Sequence, residues 1–416
     1  MTYLIFILTG VIVCLGYIGN FLFKRKGIPD NLILILLGIA LGPALHLIDP
    51  AGFTNIAPIF SSLALLLILF DGGMNLNLYK VLEESPKAMV LGVMNVLLSM
   101  ALTAAFTSVV LGWELIHGLL LGTIVGGTSS SIVLSLTSKM AVPERIDTLL
   151  SLESVFTDAI VIVLGITFLD LIVSAKSMVF SDVAKSIASA FSIGFVFGLI
   201  CGVVWLKLLS VLRDQTLDDI LTLSVVMFFY GLTEVVGGNG AIFALMFGLV
   251  LGNGAEIGGI FRMEGIVEIG GIMRKFMSQM SFFIRTYFFV YLGLILFIEN
   301  SMTVIYSVAL SLLLLVGRYI AVMFTTFRDP ELGEYGSVLT SMMPRGLAAA
   351  IMAQLAASSG IAHASIFPEL IMIVIIVSVV VSSVGAALLE RRMGEKGLGP
   401  DSTDSTVDGD TFNVVT

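Results

Sequence analysis

Charged side chains are scarce in this chain of 416 residues. Asp, Glu, Lys and Arg make up 12% of it, whereas hydrophobic residues make up 57% and the mean hydropathy is +1.07. Soluble proteins carry about twice as much charge, so the composition excludes a large soluble domain. The long apolar runs predict an all-α polytopic membrane protein, because a helix satisfies its own backbone hydrogen bonds in lipid.

Cysteine is also scarce. Cys14 and Cys201 fall in separate apolar segments, which excludes a disulfide framework and a cysteine-based metal site. The sequence lacks a Ser/His/Asp arrangement, a metal-ligand cluster and a phosphate-binding loop with its lysine. The net charge of −9 gives no reason to expect a nucleic-acid partner. We therefore expect neither an enzyme nor a bound cofactor.

Apolar windows that approach the length of a bilayer-spanning helix follow one another along the chain. About thirteen spans are predicted, at 2–23, 29–47, 55–73, 88–111, 115–136, 146–173, 184–211, 217–236, 240–253, 279–297, 302–325, 335–357 and 367–389. The first lacks the positive start and the cleavage site of a signal peptide, so we expect a retained helix. We predict one transmembrane domain over residues 1–392 and a short, acidic, disordered tail over residues 393–416.

Basic residues indicate how these spans are oriented. Loops after the odd-numbered spans hold nearly all lysines and arginines between spans, and the opposite loops hold only Lys176 and Lys185. The positive-inside rule then predicts a multi-pass protein of the cell membrane with its N-terminus outside and its C-terminus cytoplasmic. Residues 254–278, on the cytoplasmic side, predict either an amphipathic segment on the membrane surface or an ordinary connecting helix.

Two spans contain sequences that interrupt a helix. Residues 123–131 read TIVGGTSSS in the fifth span, and residues 342–348 read MMPRGLA in the twelfth. Paired glycines weaken a helix, and proline removes one of its hydrogen bonds. Freed backbone groups are tolerated at membrane depth only inside protein or along a cavity. One interrupted helix in each half predicts an inverted-repeat transporter whose site lies where the two breaks meet.

Two carboxylates lie within the sixth span, where residues 152–163 read LESVFTDAIVIV. A charge at bilayer depth costs at least about 2.5–3.5 kcal/mol, so such residues usually mark an ion or proton path. Asp158 and Ser154 share a helix face, with Thr157 beside them, and these oxygens suit a small cation or a proton. The alternative is a structural carboxylate that a neighbouring helix satisfies.

Arg345 lies beside the second break and needs an anion at that depth. We predict a core ion pair between Glu153 and Arg345, which leaves Asp158 free to titrate. Asp71, at the end of the third span, is either a cation ligand or a helix-end residue. We also predict that Arg285 and Arg318 pair with carboxylates or carbonyls and that Glu234 is structural. The histidines, expected in solvated loops, are His46, His117 and His363.

Taken together, ESVFTD, the TSSS run that begins thirty residues before its aspartate, the PRG of the late break and the span layout resemble the monovalent cation/proton antiporters, in particular the NhaP-type sodium/proton exchangers. The resemblance covers Thr2 to about Arg392. It implies an antiporter fold with two broken crossing helices and a core bundle around residues 115–173 and 335–389. The other helices would serve as scaffold and dimer interface of a homodimer.

The resemblance also implies roles for single residues. Asp158 matches the aspartate that binds cation and proton in turn, Ser154 a side-chain ligand, and Thr128 the crossover residue of the fifth helix. Glu153 and Arg345 match the core pair, and Asp71 an acidic ligand found in some members. The chain departs from the family where Ser129 and Ser130 replace Asp and Pro, and where Thr157 replaces Asn. The predicted ion- and proton-binding set is Asp158, Ser154, Thr157, Thr128, Ser129 and Asp71, with Asp158, Ser154 and Asp71 as ligands of Na⁺ or K⁺.

The expected function follows from counting carboxylates. With only Asp158 free to exchange, we expect one proton to compete with one monovalent cation, which is Na⁺, K⁺ or Li⁺. The expected mechanism is electroneutral antiport by alternating access. The alternatives are a sodium-coupled symporter of an organic anion, and a cation channel or membrane sensor. Proton movement without an organic solute distinguishes the first alternative, and current above carrier rates distinguishes the second.

Overall fold

A computed structural model describes residues 2–26, 30–48, 57–76, 78–140, 142–173, 180–211, 218–260, 271–295 and 301–395. Within these ranges every regular element is helical. The first half comprises α1 (Thr2–Lys26), α2 (Asp30–Ile39), α3 (Ala57–Asn75), α4 (Leu78–Val110), α5 (Leu115–Ile124), α6 (Ser130–Met140), α7 (Glu144–Val173) and α8 (Phe180–Val211). The second comprises α9 (Asp218–Val235), α10 (Gly240–Gly252), α11 (Gly254–Ile260), α12 (Gly271–Ile295), α13 (Ser301–Thr326), α14 (Pro330–Glu334), α15 (Gly336–Ser341), α16 (Leu347–Ser358) and α17 (Phe367–Glu395).

Each predicted span coincides with a helix, and the two interrupted spans each coincide with a pair of short helices, α5 with α6 and α15 with α16. Five described helices are each long and apolar enough to cross a membrane, or six if the bent pair α10 and α11 forms one span. The all-α membrane fold is therefore confirmed. The count of thirteen spans stays a prediction.

Several helix boundaries differ from the sequence prediction; α4, for example, begins at Leu78, ten residues before the predicted start of its span. The tenth span was expected to begin at residue 279, but α12 begins at Gly271, so the end of the 254–278 stretch is part of a long helix. Arg274 and Lys275 lower the local hydropathy there, although Met273 and Met277 are buried. Earlier in that stretch α11 turns away from α10 by 85°. Residues 261–270, and most of the predicted tail at 393–416, lie outside the described residues.

The helices pack in two groups. In one, α10 packs on α3 and α8, and α12 packs on α2 and α3; in the other, α4 packs on α5, α7 and α13, and α17 packs on α13 and α16. Gly248 and Gly252 of α10 allow a close approach to α3, because a Cβ at either position would overlap a backbone carbonyl of α3, that of Phe70 or Met74. Small residues at such positions stabilise helix pairs in membranes.

Loops that are predicted to lie on the same side of the membrane meet in space. Asp329, between α13 and α14, forms ion pairs with Lys87 of α4 and with Arg145 of α7, the latter at 2.8 Å. These two partners and the N–H of Leu332 hold the pKa of the Asp329 carboxyl well below its usual value, Lys87 most of all. At the opposite end of the molecule, the ring of Trp113 stacks on that of His363. These contacts agree with the predicted alternation of sides.

Candidate functional site

The two interrupted helices touch at their breaks. Residues 125–129 separate α5 from α6, and residues 342–346 separate α15 from α16. The backbone N–H of Ser129 donates to the carbonyl of Pro344 at 2.7 Å. A Cβ on Gly346 would collide with the side chain of Ser129, so glycine is required for this approach. The prediction that both helices break and that the breaks meet is confirmed.

Asp158 lies on α7 beside the first break. A Cβ built on Gly127 would be 3.7 Å from Oδ1 of Asp158. The Asp158 side chain is partly exposed and forms no hydrogen bond or ion pair with any residue that the structure describes. A carboxylate at this depth without a fixed partner can accept a cation or a proton.

An open cavity of about 490 Å³ leads to this carboxylate. It lies between the two helix groups: α7 and α16 form one wall, and α3 and α12 form the other. Polar side chains contribute to both walls. Those facing the cavity are Asp71, Asn75, Ser129, Ser130, Asp147, Thr148, Ser151, Asp158, Ser281 and Arg285.

The residues predicted to bind the ion divide into two sets. Asp158, Ser129 and Asp71 line the cavity. Ser154, Thr157 and Thr128 are fully buried outside its lining. The Ser154 hydroxyl donates to the carbonyl of Leu150 at 2.9 Å, and the Thr157 hydroxyl accepts from the N–H of Thr128 at 3.2 Å.

Glu153 forms its ion pair with Arg318, not with Arg345. Nη1 of Arg318 lies 2.9 Å from Oε1 of Glu153, Nη2 lies 3.2 Å from Oε2, and both side chains have no exposed surface. Arg318 also donates to the carbonyl of Leu339 at 3.0 Å, and the hydroxyl of Thr128 donates to Glu153 at 3.1 Å. The predicted pair of Glu153 with Arg345 is therefore wrong, whereas the expectation that Arg318 pairs with a carboxylate or carbonyl is confirmed.

Arg345 binds the broken helix itself. Its Nη1 donates to the carbonyls of Gly126 and Gly127, at 3.1 and 2.7 Å, just beyond the C-terminal end of α5. Carbonyls at a helix C-terminus carry partial negative charge and lack partners in the helix, so they can stabilise a buried cation. Asn95 of α4 donates to the same Gly126 carbonyl at 2.8 Å. These carbonyl partners exist only because α5 ends there, which explains the error in the prediction.

Asp71 lies on the wall opposite Asp158. Its Oδ1 accepts hydrogen bonds from Ser278 at 2.8 Å and from Asn75 at 3.2 Å. Arg285 faces the same cavity and acts on Asp71 electrostatically. Asp71 therefore belongs to the cavity, and whether it binds a cation stays a prediction.

Several polar residues of the site were not predicted from the sequence, among them Asn95 and Asp147. Asn95, fully buried on α4, was detectable as an amide inside an apolar span. Asp147 was detectable because it lies four residues before Ser151 and eleven before Asp158, which places all three near one face of α7.

Glu234 and the histidines were given structural or solvated roles. Glu234 accepts from the N–H of Gly240 at 2.6 Å, in agreement with a structural role. His46 and His363 are exposed, as expected. His117 is not, because it is buried against His363, so the solvated position predicted for it is wrong.

The chain is similar to known membrane exchangers. The family model described as "sodium/hydrogen exchanger, transmembrane" matches residues 10–391. A K(+)/H(+) antiporter NhaP2 of Shewanella baltica is 31% identical over 254 residues, which cover 59% of this chain and 42% of that relative. Sodium/hydrogen exchanger 7 of Arabidopsis thaliana is 25% identical over 256 residues, which cover 58% of this chain and 22% of that relative. The aligned regions thus span less than half the length of either relative.

A solved structure supports the fold. The sodium proton antiporter MjNhaP1 of Methanocaldococcus jannaschii, at pH 8, has a TM-score of 0.79 and 20% sequence identity, over 94% of this chain and 99% of that one. At this identity the match shows the fold alone. It confirms the antiporter-like fold that the family resemblance implied.

Proposed function

Because the chain belongs to the sodium/hydrogen exchanger family, we propose that it is a monovalent cation/proton antiporter. The observation that carries this proposal is Asp158, an unpaired carboxylate that faces an open cavity beside two touching helix breaks. The cation is Na⁺ or K⁺, with Li⁺ as a third candidate, since relatives of both sodium and potassium type occur. Family membership also agrees with the expectation that the chain is not an enzyme.

Competition at one carboxylate couples the two ions. A carboxylate oxygen is a hard ligand that suits small cations, and protonation removes its negative charge. A cation and a proton therefore exclude one another on Asp158. We propose that Ser129 contributes an oxygen ligand on the α5–α7 side and that Asp71 receives the cation from the opposite wall. Ser154 is buried behind the cavity lining, and we propose that it joins the ligands when the helix groups move. Thr128 and Thr157 position the break through their mutual hydrogen bonds. No cofactor takes part.

The charges around the crossing support electroneutral exchange. Glu153 and Arg318 neutralise each other, while Arg345 carries a formal positive charge that equals the negative charge of an ionised Asp158. Either one proton or one monovalent cation on Asp158 leaves the same net charge in this group. Movement of the group across the membrane then transfers the same charge in both directions, so a one-for-one exchange moves no net charge.

The packing of the helices supports alternating access. The site belongs to the helix group that contains α4 to α7 and α13 to α17, and the cavity separates it from α3 and α12. We propose that the group that contains Asp158 moves against the group that contains α3, α10 and α12, and exposes Asp158 to each side in turn. The cavity mouth, at Asp71 and Asp147, lies at the predicted cytoplasmic ends of α3 and α7. We further propose the cell membrane as location, the N-terminus outside, and a homodimer that forms through the helix group of α3, α10 and α12.

Replacement of Asp158 tests the proposal. Purified wild-type protein in proteoliposomes should release protons from an acid-loaded interior when Na⁺, K⁺ or Li⁺ is added outside, and Asp158→Asn should abolish this release. Asp170→Asn makes the same chemical change on α7 but outside the cavity lining, and it should retain the exchange. Persistent exchange in Asp158→Asn would show that another group carries the ions.

The same vesicles distinguish the alternatives. A symporter of an organic anion would move no protons until that solute is supplied. A channel would conduct without coupling to protons and would respond to an imposed potential. Exchange that neither generates nor follows a membrane potential supports the electroneutral mechanism.

A further inference from the structure

Asp147 places a second carboxylate on the same cavity wall as Asp158. It lies in the first turn of α7, is partly exposed, and lines the cavity together with Thr148 and Ser151. Thr137 of α6 donates a hydrogen bond to its Oδ1, and its backbone carbonyl accepts from the Ser151 hydroxyl at 2.6 Å. The carboxylate is therefore held at the mouth of the cavity.

The geometry of α7 makes a polar path from the mouth to the site. Asp147 precedes Asp158 by eleven residues, which is about three turns or roughly 16 Å along a helix. Ser151 lies between them on the same face and also lines the cavity. A cation that enters along α7 meets Asp147 first, then the Ser151 hydroxyl, and finally Asp158.

The charges of the mouth favour cation entry. Asp71 faces Asp147 from the opposite wall, and in the described lining Arg285 is the only basic side chain. Arg285 acts on Asp71, which leaves the charge of Asp147 less compensated within the cavity. The lining thus holds more carboxylates than basic groups, and an excess of one sign of charge between low-dielectric walls raises the local concentration of the opposite ion.

We propose that Asp147 captures the cation at the cavity mouth and sets its apparent affinity, without itself taking part in the exchange with the proton. The inference rests on the proposed antiport function. In this proposal Asp147 lowers the KM for Na⁺ or K⁺. Asp158 and the movement of the helix groups determine the turnover rate.

The test compares two charge-neutralising substitutions three residues apart. Asp147→Asn keeps an oxygen for the Thr137 bond but removes the charge from the cavity. Glu144→Gln removes a charge from the same turn of α7, but Glu144 is exposed and lies outside the cavity lining. Both are measured in everted vesicles, whose bath meets the predicted cytoplasmic side, at fixed pH over a range of Na⁺ and K⁺ concentrations.

We expect Asp147→Asn to raise the cation KM about two- to fivefold at low ionic strength, with an unchanged maximal rate. The difference should shrink when choline chloride raises the ionic strength to about 150 mM, because the screening length falls to about 8 Å. Glu144→Gln should leave both constants unchanged.

Three results would overturn the inference: an unchanged KM in Asp147→Asn, an equal rise in Glu144→Gln, which indicates a surface-potential effect, or a fall in the maximal rate alone, which indicates a structural role. None of these three results contradicts the proposed function, provided that the wild type exchanges cations for protons in the same vesicles. Absence of wild-type exchange would instead contradict the proposed function.

Discussion

Glu153, Arg318 and Arg345 hold the backbone around the helix crossing, whereas Asp158 faces the cavity. Arg318 joins Glu153 on α7 to the carbonyl of Leu339 on α15, and so it connects one interrupted helix with the neighbour of the other. A buried ion pair contributes little net stability, but loss of one partner leaves an uncompensated charge in an apolar interior. The pair therefore fixes the position of the crossing more than it stabilises the protein.

Substitution of one partner should show this asymmetry. We expect Arg318→Gln to lower the free energy of unfolding by about 3–5 kcal/mol, because Glu153 remains buried without its counter-charge. The double variant Glu153→Gln with Arg318→Gln should be more stable than Arg318→Gln alone. Thermal unfolding in detergent measures both effects.

Glu331→Gln provides the control. Glu331 pairs with Arg145, but its side chain is 58% exposed. Exposed pairs contribute about 0–1 kcal/mol, so this variant should unfold near the wild-type temperature. If Arg318→Gln were equally mild, the pair with Glu153 would not be the buried anchor described above.

We predicted from the sequence that Arg345 needs an anion and that Glu153 supplies it, but the sequence could not identify which arginine pairs with Glu153. Arg318 and Arg345 both fall inside apolar spans, and helical spacing relates neither of them to Glu153. Which arginine pairs with Glu153 depends on the position and direction of the backbone that carries each side chain. Arg318 projects from a regular helix, whereas Arg345 projects from the non-helical stretch at residues 342–346 and reaches the carbonyls at the end of α5. Those carbonyls become available only in three dimensions.

Helix pairs show a similar division between what was predictable and what was not. The breaks at 125–129 and 342–346 fall within the two predicted interruptions, since glycine and proline act locally. The contact between α3 and α10 was not predicted, because Gly248 and Gly252 show no local signal beyond their spacing. Their role depends on the carbonyls of Phe70 and Met74, which lie on another helix.

Alanine in place of Gly248 should therefore disturb the α3–α10 pair. Its Cβ would overlap the carbonyl of Phe70, which is backbone and cannot rotate away, so the helices must separate. We expect a loss of about 1–3 kcal/mol, as for overpacked cores, measured as a lower unfolding temperature in detergent.

Gly231→Ala is the matched control. Gly231 lies within α9, and a Cβ there meets no atom within 4 Å. Alanine favours helix over glycine by about 0.5–1 kcal/mol, so this variant should be unchanged or slightly more stable. Equal destabilisation by both substitutions would contradict the close-packing explanation.

In the molecule as a whole, the loop contacts and the cavity distinguish one end from the other. Lys87, Arg145 and Asp329 meet at one end, and Trp113 and His363 meet at the other. The cavity mouth at Asp71 and Asp147 belongs to the first end, by the positions of these residues in α3 and α7. The sequence predicted this alternation from lysine and arginine alone, but not that one end would be open, because that depends on how two helix groups are placed.

Single cysteines test this sidedness. In a background with Cys14 and Cys201 replaced by alanine, Ser151→Cys places a thiol on the cavity wall and Glu114→Cys places one at the opposite end, where the Glu114 side chain is 82% exposed. We expect a charged, membrane-impermeant thiol reagent to modify Ser151→Cys much faster from the cytoplasmic side, and Glu114→Cys much faster from outside.

A gradient of a transported cation should change the labelling. If the two helix groups move against each other, turnover exposes the wall at residue 151 to the outside for part of each cycle, so a cation gradient should increase labelling of Ser151→Cys from outside. Labelling of Glu114→Cys should not respond to the gradient. Rapid labelling of Ser151→Cys from both sides in the absence of any gradient would mean that the cavity crosses the membrane, and the protein would then conduct ions instead of exchanging them.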